Sequence, residues 1–163
     1  MTKIKFAKVK EDAKIPTKRV EDAAFDIYAC FEEDYIKIPA HTTVLVPTGI
    51  ASACDADYCI ILKERGSTGS KGLGVHAGVI DSGYRGEYFV AIGNNNNDDY
   101  YIVKEGKEFP RKSSFDKVYP YEKAIAQALV LPVFELDIEE ISYEELQTIP
   151  SERGTGKLGS SNK

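Results

Sequence analysis

The chain has 163 residues, 42% hydrophobic and 29% charged, with 21 Lys and Arg against 26 Asp and Glu and a net charge of −5. That size fits one domain with its own core, and that composition excludes a disordered chain. It offers no global field for nucleic acid, so a polyanionic ligand must be held by locally placed Arg or Lys and a divalent cation. Three cysteines without metal-site spacing and only two histidines, His41 and His76, argue against a structural zinc site. Reduced, mostly buried thiols in a cytoplasmic protein are the expectation.

In chain order, the N-terminus alternates charged and apolar residues, which is a strand pattern and not a signal-peptide core. Strands are predicted at Ile4–Val9, Phe25–Tyr28, Tyr35–Ile38, Thr43–Pro47, Tyr58–Leu62, Glu87–Ile92, Tyr101–Val103 and Ala128–Leu136. Val, Ile, Tyr and Thr fill them, and Gly, Pro, Asp and Asn punctuate the gaps. The longest apolar stretches, at 43–46 and 124–133, are too short to span a bilayer as a helix, so no membrane contact is expected. Asn94 to Asp99 reads as a polar turn, and the Lys-rich 104–123 as a long loop, either solvated or touching a partner or phosphate. Ser142, with Glu145 three residues on, opens a short helix through about Leu146 that Pro150 limits. Long helical periodicity is absent, so an all-β sandwich, jelly roll or barrel is expected. Residues 153–163 read as a loose tail that frays or orders on a ligand.

Five segments carry chemistry. Gly78-Val-Ile-Asp-Ser-Gly-Tyr-Arg-Gly-Glu87 places Asp81 three residues before Tyr84 among glycines, between two strand signals. It reads as a hairpin whose tip holds one acid and one aromatic wall; a plain surface turn is the alternative. Glu64-Arg-Gly-Ser-Thr-Gly-Ser-Lys-Gly72 gathers backbone N–H groups, hydroxyls and the Arg65 guanidinium, a set suited to phosphate oxygens but without Walker spacing. Arg153 to Ser161 repeats that logic at the C-terminus, unless it is only a polar tail. Asp26 on a strand needs a partner such as a buried Arg. Gln127 in an apolar strand must find hydrogen bonds, either as a core amide or as part of a site.

In this order the five segments resemble the five motifs of the homotrimeric deoxyuridine triphosphatases, from roughly Ala23 to Ser161. The resemblance implies a β jelly roll, with residues 1–152 as one β domain carrying an inserted loop at about 94–123, and 153–163 as a lid. It implies a homotrimer with three sites, each taking segments from all three subunits. The implied reaction is Mg²⁺-assisted hydrolysis of dUTP to dUMP and pyrophosphate, limiting uracil in DNA and supplying dUMP for dTMP synthesis. By the same resemblance, the hairpin around Gly78–Ile92, with Gly78, Val79, Ile80 and Glu87, holds uracil through backbone groups. Tyr84 stacks on deoxyribose, and Asp81 holds the 3′-OH and activates a water for attack on the α-phosphorus. Arg65, Gly66 and Ser67 hold phosphates with Gln127 near them, and Asp26 braces Arg65. Arg153, Lys157, Leu158, Gly159, Ser160 and Ser161 close over the substrate, and Mg²⁺ is held by the triphosphate.

The chain departs from the family pattern in places. Gly66 stands where Ser is common, so Ser67 or Thr68 substitutes. Leu158 stands where an aromatic covers uracil, so Tyr88 or Phe89 offers a ring instead. Lys157 replaces a common glycine and adds a phosphate contact. Two rival readings remain. A dCTP deaminase of related fold needs a Glu ten residues after the hairpin Asp, where this chain has Ala91. A trimeric regulatory module of the same fold would bind a protein partner through loop 94–123.

Overall fold

The computed structural model describes residues 3–156. Twelve short strands and two short helices make up the described chain. β1 (Lys5–Lys8) pairs antiparallel with β5 (Ile50–Ala53). β3 (Tyr35–Ile38) pairs with β10 (Tyr100–Val103), which pairs in parallel with β11 (Lys117–Pro120). β9 (Phe89–Asn94) lies between β4 (Thr43–Pro47) and β7 (Leu73–His76). The fourth sheet has the order β2 (Phe25–Ile27), β12 (Ala126–Pro132), β6 (Tyr58–Lys63), β8 (Val79–Ile80).

Side-chain alternation fixes the faces. On β6, Ile60 and Leu62 are buried while Cys59 and Ile61 are half-buried; on β12, Ala126 and Ala128 turn into the same core. Each buried Ile or Leu contributes about 1.5–3 kcal/mol over its exposed state. β9 and β10 are buried on both faces, because neighbouring segments cover them.

Three sequence expectations change. The strands flanking the Asp81 turn do not pair with each other: β8 pairs with β6, and β9 pairs with β4 and β7. Residues 81–88 therefore cross from one sheet to another. The 94–123 stretch is not a plain loop. A parallel pair needs a crossover of a dozen or more residues, and 104–116 supplies it between β10 and β11. Within it, the Tyr101 hydroxyl donates to the Pro110 carbonyl at 3.2 Å, and Phe109 packs on the Tyr101 ring at 4.8 Å between centroids. The last strand ends at Pro132, not Leu136.

The asparagine run is anchored by Asn94, only 1% exposed. Its amide donates to the carbonyls of Ile38 (3.1 Å) and Asp98 (2.9 Å), and its oxygen accepts from the Asn96 backbone N–H at 3.0 Å. Beside it, the Asp99 carboxylate pairs with Lys37 at 2.6 Å, whose hydrogen bond holds the Asp99 carboxyl below the usual carboxylate range. The second helix, α2 (Tyr143–Thr148), starts where expected, with the Ser142 hydroxyl accepting from the Glu145 N–H at 3.0 Å.

Replacing Asn94 with Ala leaves buried backbone groups unpaired. It should cost about 1–3 kcal/mol, read as a lower urea midpoint at unchanged m-value; an unchanged midpoint would contradict the anchoring role.

Candidate functional site

The first half of the site grows from the end of β6. After Lys63 the chain leaves the sheet and winds one turn, α1 (Gly66–Gly69). Glycine and serine are poor helix formers, so side-chain and backbone bonds close the turn. The Arg65 N–H donates to the Thr68 hydroxyl at 3.0 Å, that hydroxyl donates to the Arg65 carbonyl at 3.1 Å, and the Gly69 N–H donates there at 2.8 Å. Thr68 is only 3% exposed. Its hydroxyl is committed to the loop, which leaves Ser67, on the cleft wall, as the hydroxyl open to a ligand.

The Arg65 guanidinium faces Asp26 on β2, Nε to Oδ1 at 3.0 Å, and its Nη1 donates to the Ala124 carbonyl at 3.4 Å. Asp26 sits opposite Gln127 in the β2–β12 register. The Gln127 amide is half-buried and donates to the Glu64 carbonyl at 2.8 Å, which ties β12 to the start of the Arg65 loop. Asp26, Arg65, Gly66, Ser67 and Gln127 share one cleft of about 770 Å³.

Two further cations line that cleft, Lys18 and Arg19, and the sequence reading does not reach them. The Lys18 ammonium donates to the Asp22 carbonyl at 2.8 Å, and Arg19 forms a bidentate pair with Asp22, both contacts 2.9 Å. The Arg19 hydrogen bonds hold the Asp22 carboxyl below the usual range. The signal available was a Lys-Arg pair shortly before Asp26. What brings it to the cleft is a backbone bridge between Thr17 and Asp26.

The second half lies at β8. Ala77 adopts a left-handed φ of 47°, turning the chain from β7 into β8. Gly78 follows, where any Cβ would strike the Leu62 carbonyl, and its own carbonyl accepts from the Leu62 N–H at 2.7 Å. Only glycine allows that approach of backbone to β6. A turn then closes with the Tyr84 N–H on the Asp81 carbonyl at 3.0 Å. The Tyr84 ring lies over Gly86, where a Cβ would collide with it, and its hydroxyl donates to the Glu87 carbonyl at 3.1 Å. The Glu87 carboxylate accepts from the Gly49 N–H at 2.7 Å. Arg85 staples the turn from behind by donating to the carbonyls of Ser82 (2.6 Å) and Tyr84 (3.0 Å).

Val79, Ile80, Asp81, Tyr84, Glu87 and Phe89 line a cleft of about 210 Å³. Asp81 is exposed, as is the Tyr84 ring at 44%. Of the two rings offered in place of a tail aromatic, Tyr88 is fully buried against Ser52, and burial raises its phenol pKa. It has no path to a ligand. Phe89 is 44% exposed on the cleft wall and is the available ring.

The two clefts share no lining residue. Asp26 and Val79–Ile80 lie on opposite edge strands of one sheet, three strand spacings or about 14 Å apart. Arg153 lines neither cleft; its Nε donates to the Gly156 carbonyl at 3.2 Å. Lys157, Leu158, Gly159, Ser160 and Ser161 lie outside the described residues. Beyond β12 the chain runs exposed, with Phe134 (76%), Leu136 (79%) and Ile138 (98%) open to solvent. Among the described residues no group of three or more His, Cys, Asp and Glu is placed to hold a metal ion.

Comparison with known proteins identifies the family. A model of the dUTPase family matches residues 11–108. The deoxyuridine 5'-triphosphate nucleotidohydrolase of Nautilia profundicola is 33% identical over 165 aligned positions, covering 99% of each chain. That of Candida albicans is 35% identical, covering 92% of this chain and 82% of its own. The structure of a variant dUTPase of Staphylococcus bacteriophage 80alpha with dUpNHpp superposes with a TM-score of 0.77 at 20% identity, over 98% of both chains. That last likeness shows the all-β jelly-roll fold. With more than half of its length matched by the family model and a relative aligned end to end, the chain belongs to the dUTPase family, the dUTP diphosphatases.

Proposed function

We propose that the protein hydrolyses dUTP to dUMP and pyrophosphate as a homotrimer, by attack of water on the α-phosphorus. The observation that carries this reading is the division of the chain's chemistry. One cleft offers a guanidinium, a hydroxyl and an amide suited to phosphate oxygens; the other offers a carboxylate beside a ring wall suited to a nucleoside. The two clefts share no lining residue, so one subunit does not present them as a single continuous pocket. A closed trimer brings the nucleoside cleft of one subunit to the phosphate cleft of the next. The exposed apolar arm of residues 133–138 supports such an assembly, since a surface of that kind is stable only when covered.

In this reading uracil lies along the Gly78–Ile80 backbone, with Phe89 at its side. Tyr84, pinned by its bond to Glu87 and by contact with Gly86, stands against the sugar and leaves no room for a 2′-OH. Asp81 holds the 3′-OH and accepts a proton from the attacking water. Arg65, held in orientation by Asp26, and Ser67 neutralise charge on the departing pyrophosphate. Mg²⁺ enters with the substrate, because a triphosphate is itself an oxygen-rich ligand for a hard cation. The C-terminal segment from Arg153 onward closes the site and excludes water. Position 91, where a deaminase places its acid, is a buried alanine. The three free thiols suit a reducing, cytoplasmic setting.

Asp81→Asn should lower turnover of Mg·dUTP by about 10²- to 10⁴-fold while dUTP still binds; product analysis for dUMP and pyrophosphate reads the first and calorimetry the second. Turnover within a few-fold of normal would remove Asp81 from the mechanism. The Lys18→Ala/Arg19→Ala variant should raise KM for dUTP about tenfold, equivalent to about 1.4 kcal/mol, with kcat little changed and dUMP inhibition unaltered. If dUMP binding weakens equally, the pair acts through the fold and not on the polyphosphate.

A further inference from the structure

A second cation-lined depression, of about 720 Å³, lies apart from both clefts. The segment after α1 forms one side with Ser70, Lys71 and Gly72; the asparagine turn adds Asn96, and the crossover and β11 add Arg111 and Lys117. Hydrogen bonds join the walls: the Asn96 amide donates to the Lys71 carbonyl at 2.8 Å, and the Asn95 N–H donates to the Gly72 carbonyl at 2.9 Å. Two of the cations, Lys117 and Arg111, are held by neutral groups. Lys117 Nζ donates to the Asn96 side-chain oxygen at 3.3 Å and lies 5.5 Å from the Tyr100 ring centre. Arg111 Nη2 donates to the carbonyls of Asp116 (3.0 Å) and Ser114 (3.5 Å).

Convergence sets this place apart. Among the described residues most Lys and Arg side chains face no carboxylate, and three of these, Lys71, Arg111 and Lys117, line one concavity. The one acid in the wall, Asp116, is 5% exposed and accepts from the backbone N–H groups of Lys112 (2.8 Å) and Ser113 (3.1 Å). Its charge is turned inward and satisfied there. Three unpaired cations around one concavity run against the net charge of −5. Cations fixed by dipoles in advance bind an anion at small reorganisation cost.

The geometry points to a second anion site here, separate from the Arg65 cleft, that takes a small phosphate-bearing molecule on Lys71, Arg111 and Lys117 with the Ser70 hydroxyl beside them. Phosphate fits because compact tetrahedral oxygens suit convergent Lys, Arg and hydroxyl donors. Free pyrophosphate and a nucleoside diphosphate share that chemistry.

The test is calorimetric titration of inorganic pyrophosphate, and in parallel ADP, into the full chain, an Arg65→Ala variant and a Lys71→Ala/Arg111→Ala/Lys117→Ala variant. Arg65→Ala should keep one saturable, salt-sensitive site per chain. The triple variant should bind at that site at least tenfold more weakly while hydrolysing dUTP at the wild-type rate, which also reports its fold. Should the triple variant fail to fold, Lys71→Glu alone should weaken the site in the same direction. Tighter binding of ADP than of pyrophosphate would assign a nucleotide; the reverse would assign the inorganic ion. Loss of all pyrophosphate binding in Arg65→Ala, or undiminished binding in the triple variant, would overturn the site.

Discussion

The antiparallel pairing of β6 with β12 is the interaction on which the rest of the molecule depends. Its register runs from Gln127 opposite Lys63 to Pro132 opposite Tyr58. Each strand then uses its other edge to place candidate site residues. β12 takes β2 and thereby sets Asp26 beside Gln127. β6 takes β8 and thereby sets the backbone before Asp81. A one-residue slip in this ladder would send Ile60 and Leu62 to the wrong face and would separate Arg65 from Asp26 at the same time. Burial therefore specifies the site geometry as a by-product of specifying the sheet.

That arrangement also explains why the chain divides its chemistry. Arg65 follows the end of β6, and Leu62, near that same end, makes the close backbone contact with Gly78 on the strand's other edge. The two groups cannot migrate toward each other without breaking the sheet. Rigid spacing is useful if the missing half comes from a symmetry-related copy, because the clefts then meet at a fixed distance. An acidic chain must also concentrate its cations to hold a polyphosphate. The 17–24 loop places two cations, Lys18 and Arg19, on the cleft wall through the Thr17–Asp26 bridge.

Much of this was legible in the sequence, and the gaps have physical causes. Strands with a more buried residue at every second position, such as Val44 and Val46 in Thr43–Pro47, emerged at their predicted bounds because burial on one face leaves a local pattern. β5 was missed since its Ile-Ala-Ser-Ala carries small residues with little β signal, and β11 since its lysine flanks and Pro120 resemble a loop. The Asp81 hairpin was misjudged because a glycine-rich turn looks alike whether its flanking strands pair or part; the partners β6, β4 and β7 are distant in sequence. Asp26, Arg65, Asp81 and Tyr84 were legible because a charge on a strand or a ring in a glycine turn demands a reason locally. Lys18, Arg19 and the choice of Phe89 over Tyr88 were not, because only tertiary packing decides which side chain reaches a cleft.

The central claim is that a complete site joins the nucleoside cleft of one subunit to the phosphate cleft of another. Subunit complementation tests it directly. Asp81→Asn and Arg65→Ala chains, each inactive alone, would be unfolded together in equal amounts, refolded, and assayed for dUMP and pyrophosphate. Random mixing in a cyclic trimer places an intact Asp81 against an intact Arg65 in about one quarter of sites, so activity should return to about that fraction of wild type. No recovery from properly mixed trimers would mean that one subunit supplies both halves, and the account would be wrong.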